Sequence, residues 1–374
     1  MRYMYDAREI LELLEQLVGI DSVNPTLDPG GSGEAELARF VADWLERKNV
    51  AVEYTDLGDS RANVTGRVAG RGGGHSLMLN AHLDTVGIAG ENAGLTPRVE
   101  GNRVYGRGTL DMKGSLAVIM LVASAVAREP LGGDLILTAV ADEEAYSLGT
   151  RAVAESIHAD AAIVVEPTSL KLAVAHRGFV WAEIETEGVA AHGSRYEIGI
   201  DAIGKMGHVL TAIAELDERL HANGNEHPLL GRASTHASLI AGGIDLATYP
   251  DRCVVKLERR TLPGETNEQI EDELHAIAQG ATVRMLLARQ PLETPTDAPI
   301  VGALLDQATA LIGKPQVVGV PFWTDAALLS EAGIPTVVFG PGGEGLHTDT
   351  EWVDLDDLVT LAEIVHATAD TFCH

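Results

Sequence analysis

The chain has 374 residues, enough for two domains that each bury a core of their own. With 45% hydrophobic and 22% charged residues, it has the composition of an ordinary globular protein. Its 55 acidic against 27 basic residues leave a formal charge of -28, which argues against nucleic acid and anionic membrane surfaces as partners.

Asp6 is placed as the N-cap of a first helix, with Ile10, Leu11, Leu14, Leu17 and Val18 at helical spacing. The acidic residues Glu9, Glu12 and Glu15 make this start unlike a secretory signal. Residues 25–33, PTLDPGGSG, break the chain into a loop, and a second amphipathic helix is expected over 34–48. Strand-like runs follow at 50–55, 63–68 and 76–81. After Asp111 the run GSLAVIMLVASAVA is too long and uniform for a strand and predicts a buried helix. Its apolar stretch, Leu116 to Ala127, is too short to span a bilayer. The apolar runs 135–141 and 161–165 have the length of strands buried on both faces. Helical segments separate the strands, so this half is expected to be α/β with a mostly parallel sheet.

Near Ala173 the pattern changes. A strand (179–187), a helix (200–221), two strands (234–241 and 253–261), a helix opened by Thr266 and a strand (281–287) follow. That β-α-β-β-α-β order is the split arrangement of a ferredoxin-like sandwich. The α/β pattern then resumes with a helix at 300–313, a strand at 317–320, a helix at 326–332, a strand at 335–339 and a final helix at 355–372. The expected organisation is a discontinuous catalytic domain, residues 1–174 and 290–374, interrupted by an inserted lid or dimerisation domain at 175–289. Cys253 and Cys373 lie far apart, so neither a disulfide framework nor a thiolate metal site is indicated. A cytoplasmic protein is the expectation.

Candidate chemistry gathers just past four strand ends. His82 and Asp84 follow the first, Glu143 and Glu144 the second, Glu166 the third, and His347 the fourth, within GPGGEGLHTD. The carboxyl ends of strands are where open α/β sheets build their sites. Asp111, in a glycine-rich turn, would join them. Singly, each residue has a plain structural explanation: a core histidine, a turn aspartate, an acidic first helical turn. Together, so many carboxylates at one sheet edge oppose each other's ionisation. Two dications would offset three ligating carboxylates and one hydroxide. Oxygen and imidazole donors without thiolate suit Zn²⁺, with Co²⁺ or Mn²⁺ as substitutes. The glycine-rich segments 106–108 and 340–345 lack the marks of a phosphate or dinucleotide loop.

The motifs NAHLDTV, GRGTLDMKG, ADEEAYSLGT, VVEPT and GLHTDTEWV occur in this order, with AHGS (191–194) and ERRTLPGET (258–266) between the last two. This set resembles the di-zinc aminoacylase, acetylornithine deacetylase, succinyl-diaminopimelate desuccinylase and carboxypeptidase G family, over nearly the whole chain. The resemblance implies one zinc held by His82 and Glu166, a second held by Glu144 and His347, and Asp111 bridging them. It implies that Asp84 fixes the tautomer of His82 through its far nitrogen. Glu143 would be the general base that moves a proton from water to the leaving amine. His192 would reach into a partner subunit's site and stabilise the oxyanion, and Arg260 would clamp the substrate carboxylate. Arg259 points to the opposite strand face and is the weaker choice.

Glu166 leans the reading towards a deacylase, since family peptidases often carry aspartate there. Ala247 stands where many members have an asparagine, which removes one substrate contact and leaves the metal site intact. The implied function is zinc-dependent hydrolysis of an N-acyl-L-amino acid by a homodimer formed through the insert. The alternatives are a dipeptidase or carboxypeptidase on the same site and, from another class, a non-catalytic ligand-binding relative.

Overall fold

The structure is a computed structural model that describes residues 5–87, 94–222 and 224–374. The chain divides into two compact units. The first comprises Met1–Val174, Thr294–Val318 and Thr324–His374, and the second Ala175–Glu293 with Gly319–Trp323. The segment Gly319–Trp323 joins the second unit because Trp323 sits edge-on to Phe179 and His176 and donates its indole N–H to the Gln290 carbonyl.

In the first unit a mixed sheet runs in the order Ala51–Gly58, Arg61–Val68, Leu135–Val140, Leu77–His82, Ala161–Val164, Thr336–Val338 and Leu172–His176. The centre is parallel, pairing Leu77–His82 with both Leu135–Val140 and Ala161–Val164, and the latter with Thr336–Val338. These strands are buried at every position, which is why they read as unbroken apolar runs. The flanks are antiparallel. Ala51–Gly58 and Arg61–Val68 form a hairpin, and Leu172–His176, which the sequence pattern did not separate from the loop after Glu166, pairs with Thr336–Val338.

Helix Ala7–Val18 begins where the Asp6 carboxylate accepts from the Arg8 N–H, and it buries Ile10, Leu13, Leu14, Leu17 and Val18. Leu13 takes the inward place that the spacing assigns to Leu11, which lies only half buried. Helix Gly114–Arg128 is buried almost throughout, as its composition requires. The segment Thr109–Arg128 is long and apolar enough to cross a bilayer, contrary to the estimate from Leu116–Ala127, yet 83% of its apolar window is buried inside the protein.

A second, small sheet escapes the sequence pattern entirely. Gly343–Glu344, Trp352–Asp354, Arg103–Tyr105 and Arg98–Glu100 pair antiparallel in that order. Strands of two or three residues are shorter than any window in which alternation can be seen.

The second unit is a four-stranded antiparallel sheet, ordered Ser234–Gly242, Arg252–Thr261, Gly178–Glu187 and Thr282–Arg289. Val180, Ala182, Ile184, Val255 and Leu257 alternate inward and pack on Met206, Ile213, Leu216, Ile270 and Leu274 of two helices, Ala202–Ala222 and Asn267–Ala278. The second helix opens on a reciprocal capping box between Thr266 and Gln269. This is the β-α-β-β-α-β insert that the sequence order predicts.

Candidate metal centre

Register explains why distant residues share one sheet edge. His82 lies opposite Val140, Asn80 opposite Val164, and Val164 opposite Val338. Because these strands run parallel, the residues that follow them emerge on one side: Asp84, then Asp142 to Glu144, then Glu166, then the loop from Gly340. Gly340 lets that loop close, since a Cβ there would lie 2.2 Å from the Glu166 carbonyl oxygen.

Asp111 sits at the centre of the cluster. Its Oδ1 is 3.0 Å from His82 Nε2 and its Oδ2 is 3.3 Å from His347 Nε2. His347 Nε2 also lies 3.0 Å from Glu144 Oε2, and His82 Nε2 lies 3.6 Å from Glu166 Oε1. Donor atoms of His82, Glu143 and Glu166 lie within 4.8 Å of one another, as do those of His82, Asp111 and Glu144. The cluster therefore brings together His82, Asp111, Glu143, Glu144, Glu166 and His347. In this geometry Glu143 stands as close to His82 as a ligand would.

Asp84 holds the cluster differently from the expected arrangement. The His82 Nδ1 partner is the Asp84 backbone carbonyl at 2.8 Å, while the nearest carboxylate oxygen is 3.6 Å away. The carboxylate instead accepts the backbone N–H groups of Glu143 and Glu144, each at 3.1 Å, and an Asn24 amide N–H at 2.8 Å. A carboxylate facing two successive N–H donors is satisfied by them, so His82 is oriented by the neighbouring carbonyl.

Beneath Asp84 lies a buried network that sequence reasoning missed. Arg61 lies 2.8 Å from both Glu34 Oε1 and Asp142 Oδ1, and it donates to Asn24 Oδ1. The Asp142 N–H donates to Glu34. Asp325, equally buried, accepts the Thr150 hydroxyl at 2.6 Å. In sequence these look like surface charges, and no local spacing links Glu34, Arg61 and Asp142.

The electrostatics follow from burial. Glu143 is pushed well above the usual carboxylate range, first by burial and then by Glu166 and Asp325. Burial likewise raises Glu144, and raises Glu166 to about 8. Hydrogen bonds to Asp111 and Glu144 lift His347 to about 10. For His82, burial alone would lower the pKa, but Glu166 and Asp111 outweigh it and raise it. Burial alone would raise Asp111, but the hydrogen bonds from His347 and His82 prevail and lower it.

The donor set fits divalent cations. Its acidic groups face one another in low dielectric, and Glu144 Oε1 is buried without a hydrogen-bond partner among the described residues. A group raised to about 8 holds its proton at pH 7, and a cation must expel that proton to bind. Cation binding is thus expected to release protons, and its affinity to fall as the pH drops below about 8. Calorimetry in two buffers of different ionisation enthalpy counts those protons. A count of zero would mean that Glu166 and His347 enter the site already deprotonated.

In the second unit, His192 is exposed, with Nδ1 2.8 Å from the Ser194 hydroxyl. The adjacent Gly193 N–H donates to the Ala247 carbonyl, so Ala247 borders the His192 turn. Arg260 donates to Glu258 at 2.7 Å and lies over the Phe179 ring. Arg259 projects to the other face, 1% exposed and bound by Glu265 and Glu273, which makes it a core ion pair.

An α/β sheet with imidazoles and carboxylates converging past its central strands has the build of a metal-dependent hydrolase. The chain belongs to peptidase family M20/M25/M40, whose family model matches residues 78–371. It is 30% identical to the acetylornithine deacetylase of Edwardsiella ictaluri over 97% of both chains. It is 29% identical to that of Proteus mirabilis over 97% of this chain and 96% of the other. Among solved structures it is similar to the YXEP protein of Bacillus subtilis, a dinuclear metal binding peptidase from the M20 family. That match has a TM-score of 0.73 at 17% identity and covers 98% of each chain.

Proposed function

We propose that the protein hydrolyses the amide bond of an N-acyl-L-amino acid, giving a carboxylate and a free amino acid. The observation that carries this is Asp111, whose two oxygens face His82 on one side and His347 on the other. Full-length similarity to two acetylornithine deacetylases supports a deacylase over the peptidase alternative.

His82 and Glu166 would hold one cation, Glu144 and His347 a second, with Asp111 between them; Zn²⁺ is the proposed metal at two per subunit, and Co²⁺ or Mn²⁺ would substitute. Bound there, such cations neutralise the carboxylates, polarise the acyl carbonyl and make a water molecule more acidic. Glu143 takes a proton from the attacking water and passes it to the amide nitrogen, which leaves as the amine. Asp84 holds the Glu143 and Glu144 backbone in place through their N–H groups. Arg260 binds the substrate carboxylate, and His192 donates to the oxyanion.

We further propose that Ala175–Glu293 is a lid and that it forms a homodimer through the outer strand Ser234–Gly242. Leu239 and Ile240 on that strand, and Ile244 and Leu246 just after it, are exposed, a patch suited to a second copy. The buried free thiols of Cys253 and Cys373 suit a cytoplasmic enzyme.

The deciding experiment is a panel of N-acetyl and N-succinyl amino acids and dipeptides, assayed with added Zn²⁺ or Co²⁺. Turnover of the N-acyl amino acids is expected. Exclusive turnover of dipeptides would replace the deacylase by the peptidase reading. Failure to take up any dication would favour a non-catalytic relative.

A further inference from the structure

Asp111 and His347 stand on two loops far apart in the chain, and a buried ion pair, next to the short pairing of Arg103–Tyr105 with Trp352–Asp354, ties those loops together. The Glu351 side chain is fully buried. Its Oε1 accepts the backbone N–H groups of Leu110 at 2.8 Å and Asp111 at 3.0 Å. Its Oε2 accepts the Gly108 N–H at 3.0 Å and Arg107 Nη1 at 2.7 Å. Arg107 in turn donates through Nη2 to the Thr348 carbonyl at 2.9 Å, and through Nε to that of Gly87 at 3.2 Å. The Gly106 N–H closes the circuit on the Glu351 carbonyl at 3.1 Å.

We infer that Arg107 and Glu351 are positioning residues that set the separation of Asp111 and His347, and so govern the affinity for the cation those two share with Glu144. This rests on reading the cluster as a two-cation site. Three backbone N–H groups gathered on one carboxylate fix the turn that aims Asp111, and the donor to Thr348 fixes the residue beside His347. His347 needs that support: its side chain is 55% exposed and its backbone lies at φ 58°, a left-handed conformation that few non-glycine residues adopt. Gly345 allows the same loop to double back, since a Cβ there would meet the Thr350 carbonyl oxygen at 1.8 Å. His82 is placed otherwise. It ends a central sheet strand and is 1% exposed, so the half of the cluster built on His82 and Glu166 leans on the pair only through Asp111.

The test is Zn²⁺ titration of the whole protein by calorimetry, repeated with Co²⁺ and its visible absorption. Glu351→Gln keeps the side-chain shape but turns an NH₂ group towards backbone donors. It is expected to weaken the second equivalent by about 10–100-fold and the first, which shares only Asp111 with it, by clearly less, with turnover recovered at excess metal. Arg107→Lys keeps the charge and loses the fork, so it should weaken the same equivalent by less. It carries the test if Glu351→Gln fails to fold by circular dichroism. Two equivalents bound as in the wild type would overturn the proposal, and so would equal weakening of both, which marks a general loosening of the turn. A wild-type protein that takes fewer than two equivalents would overturn the two-cation reading and this inference with it.

Discussion

Glu143→Gln is expected to keep its cations and lose about 10²–10⁴-fold in kcat, the usual contribution of a positioned acid–base group. The amide matches the carboxylate in shape, and the backbone N–H bond to Asp84 is untouched. What disappears is the ability to take a proton. Glu143 suits that task because burial, Glu166 and Asp325 all push its pKa upward, making it a stronger base than an exposed glutamate. The measurement is kcat at saturating substrate and metal, with bound metal determined on the same sample. Near-normal turnover would remove Glu143 from the mechanism. Loss of a cation would instead make it a ligand, as its approach to His82 and Glu166 allows. Mixing this variant with His192→Ala adds a second readout. If His192 acts across a dimer, hybrid dimers regain one intact site and activity partly returns. No recovery after proven subunit exchange would leave His192 within its own subunit or outside catalysis.

Arg61→Ala is expected to cost about 3–5 kcal/mol of stability, the range for removing one partner of a buried ion pair. Arg61 is 5% exposed and lies between Glu34 and Asp142, whose side chains are fully buried. Burial already lifts Glu34 to about 8 with Arg61 in place. Without the guanidinium, Asp142 keeps the Asn24 amide as partner but loses its counter-charge. The loss is therefore largest where Asp142 must ionise and shrinks as acid protonates it. Urea unfolding at two pH values measures both effects. A cost below about 1 kcal/mol would show that neighbouring groups relax to replace the guanidinium. Because Asp142 precedes Glu143 directly, this variant should also loosen the cations.

Much of the first unit was legible because its central strands are buried on both faces, so length and apolarity alone mark them. Their carboxyl ends then point to His82, Glu143, Glu144 and Glu166, with no need to know the strand order. The second unit was legible from its strand-helix-strand-strand-helix-strand order and from Thr266 as a helix start, and the structure adds the alternating burial of Gly178–Glu187 and Arg252–Thr261. The two- and three-residue strands around Tyr105 and Trp352 were not, although they carry Asp111 towards His347.

The sequence by itself determined which residue types stand at which strand ends, because hydrophobic periodicity is local and survives in a linear reading. Only the tertiary structure decided how they are held: the Asp84 carboxylate on two backbone N–H groups, Arg61 between Glu34 and Asp142, Glu351 beneath Asp111. Each of these is a buried polar contact between residues distant in the chain. Outside the fold each such side chain would be solvated and look like surface, and burial alone forces it to find a partner.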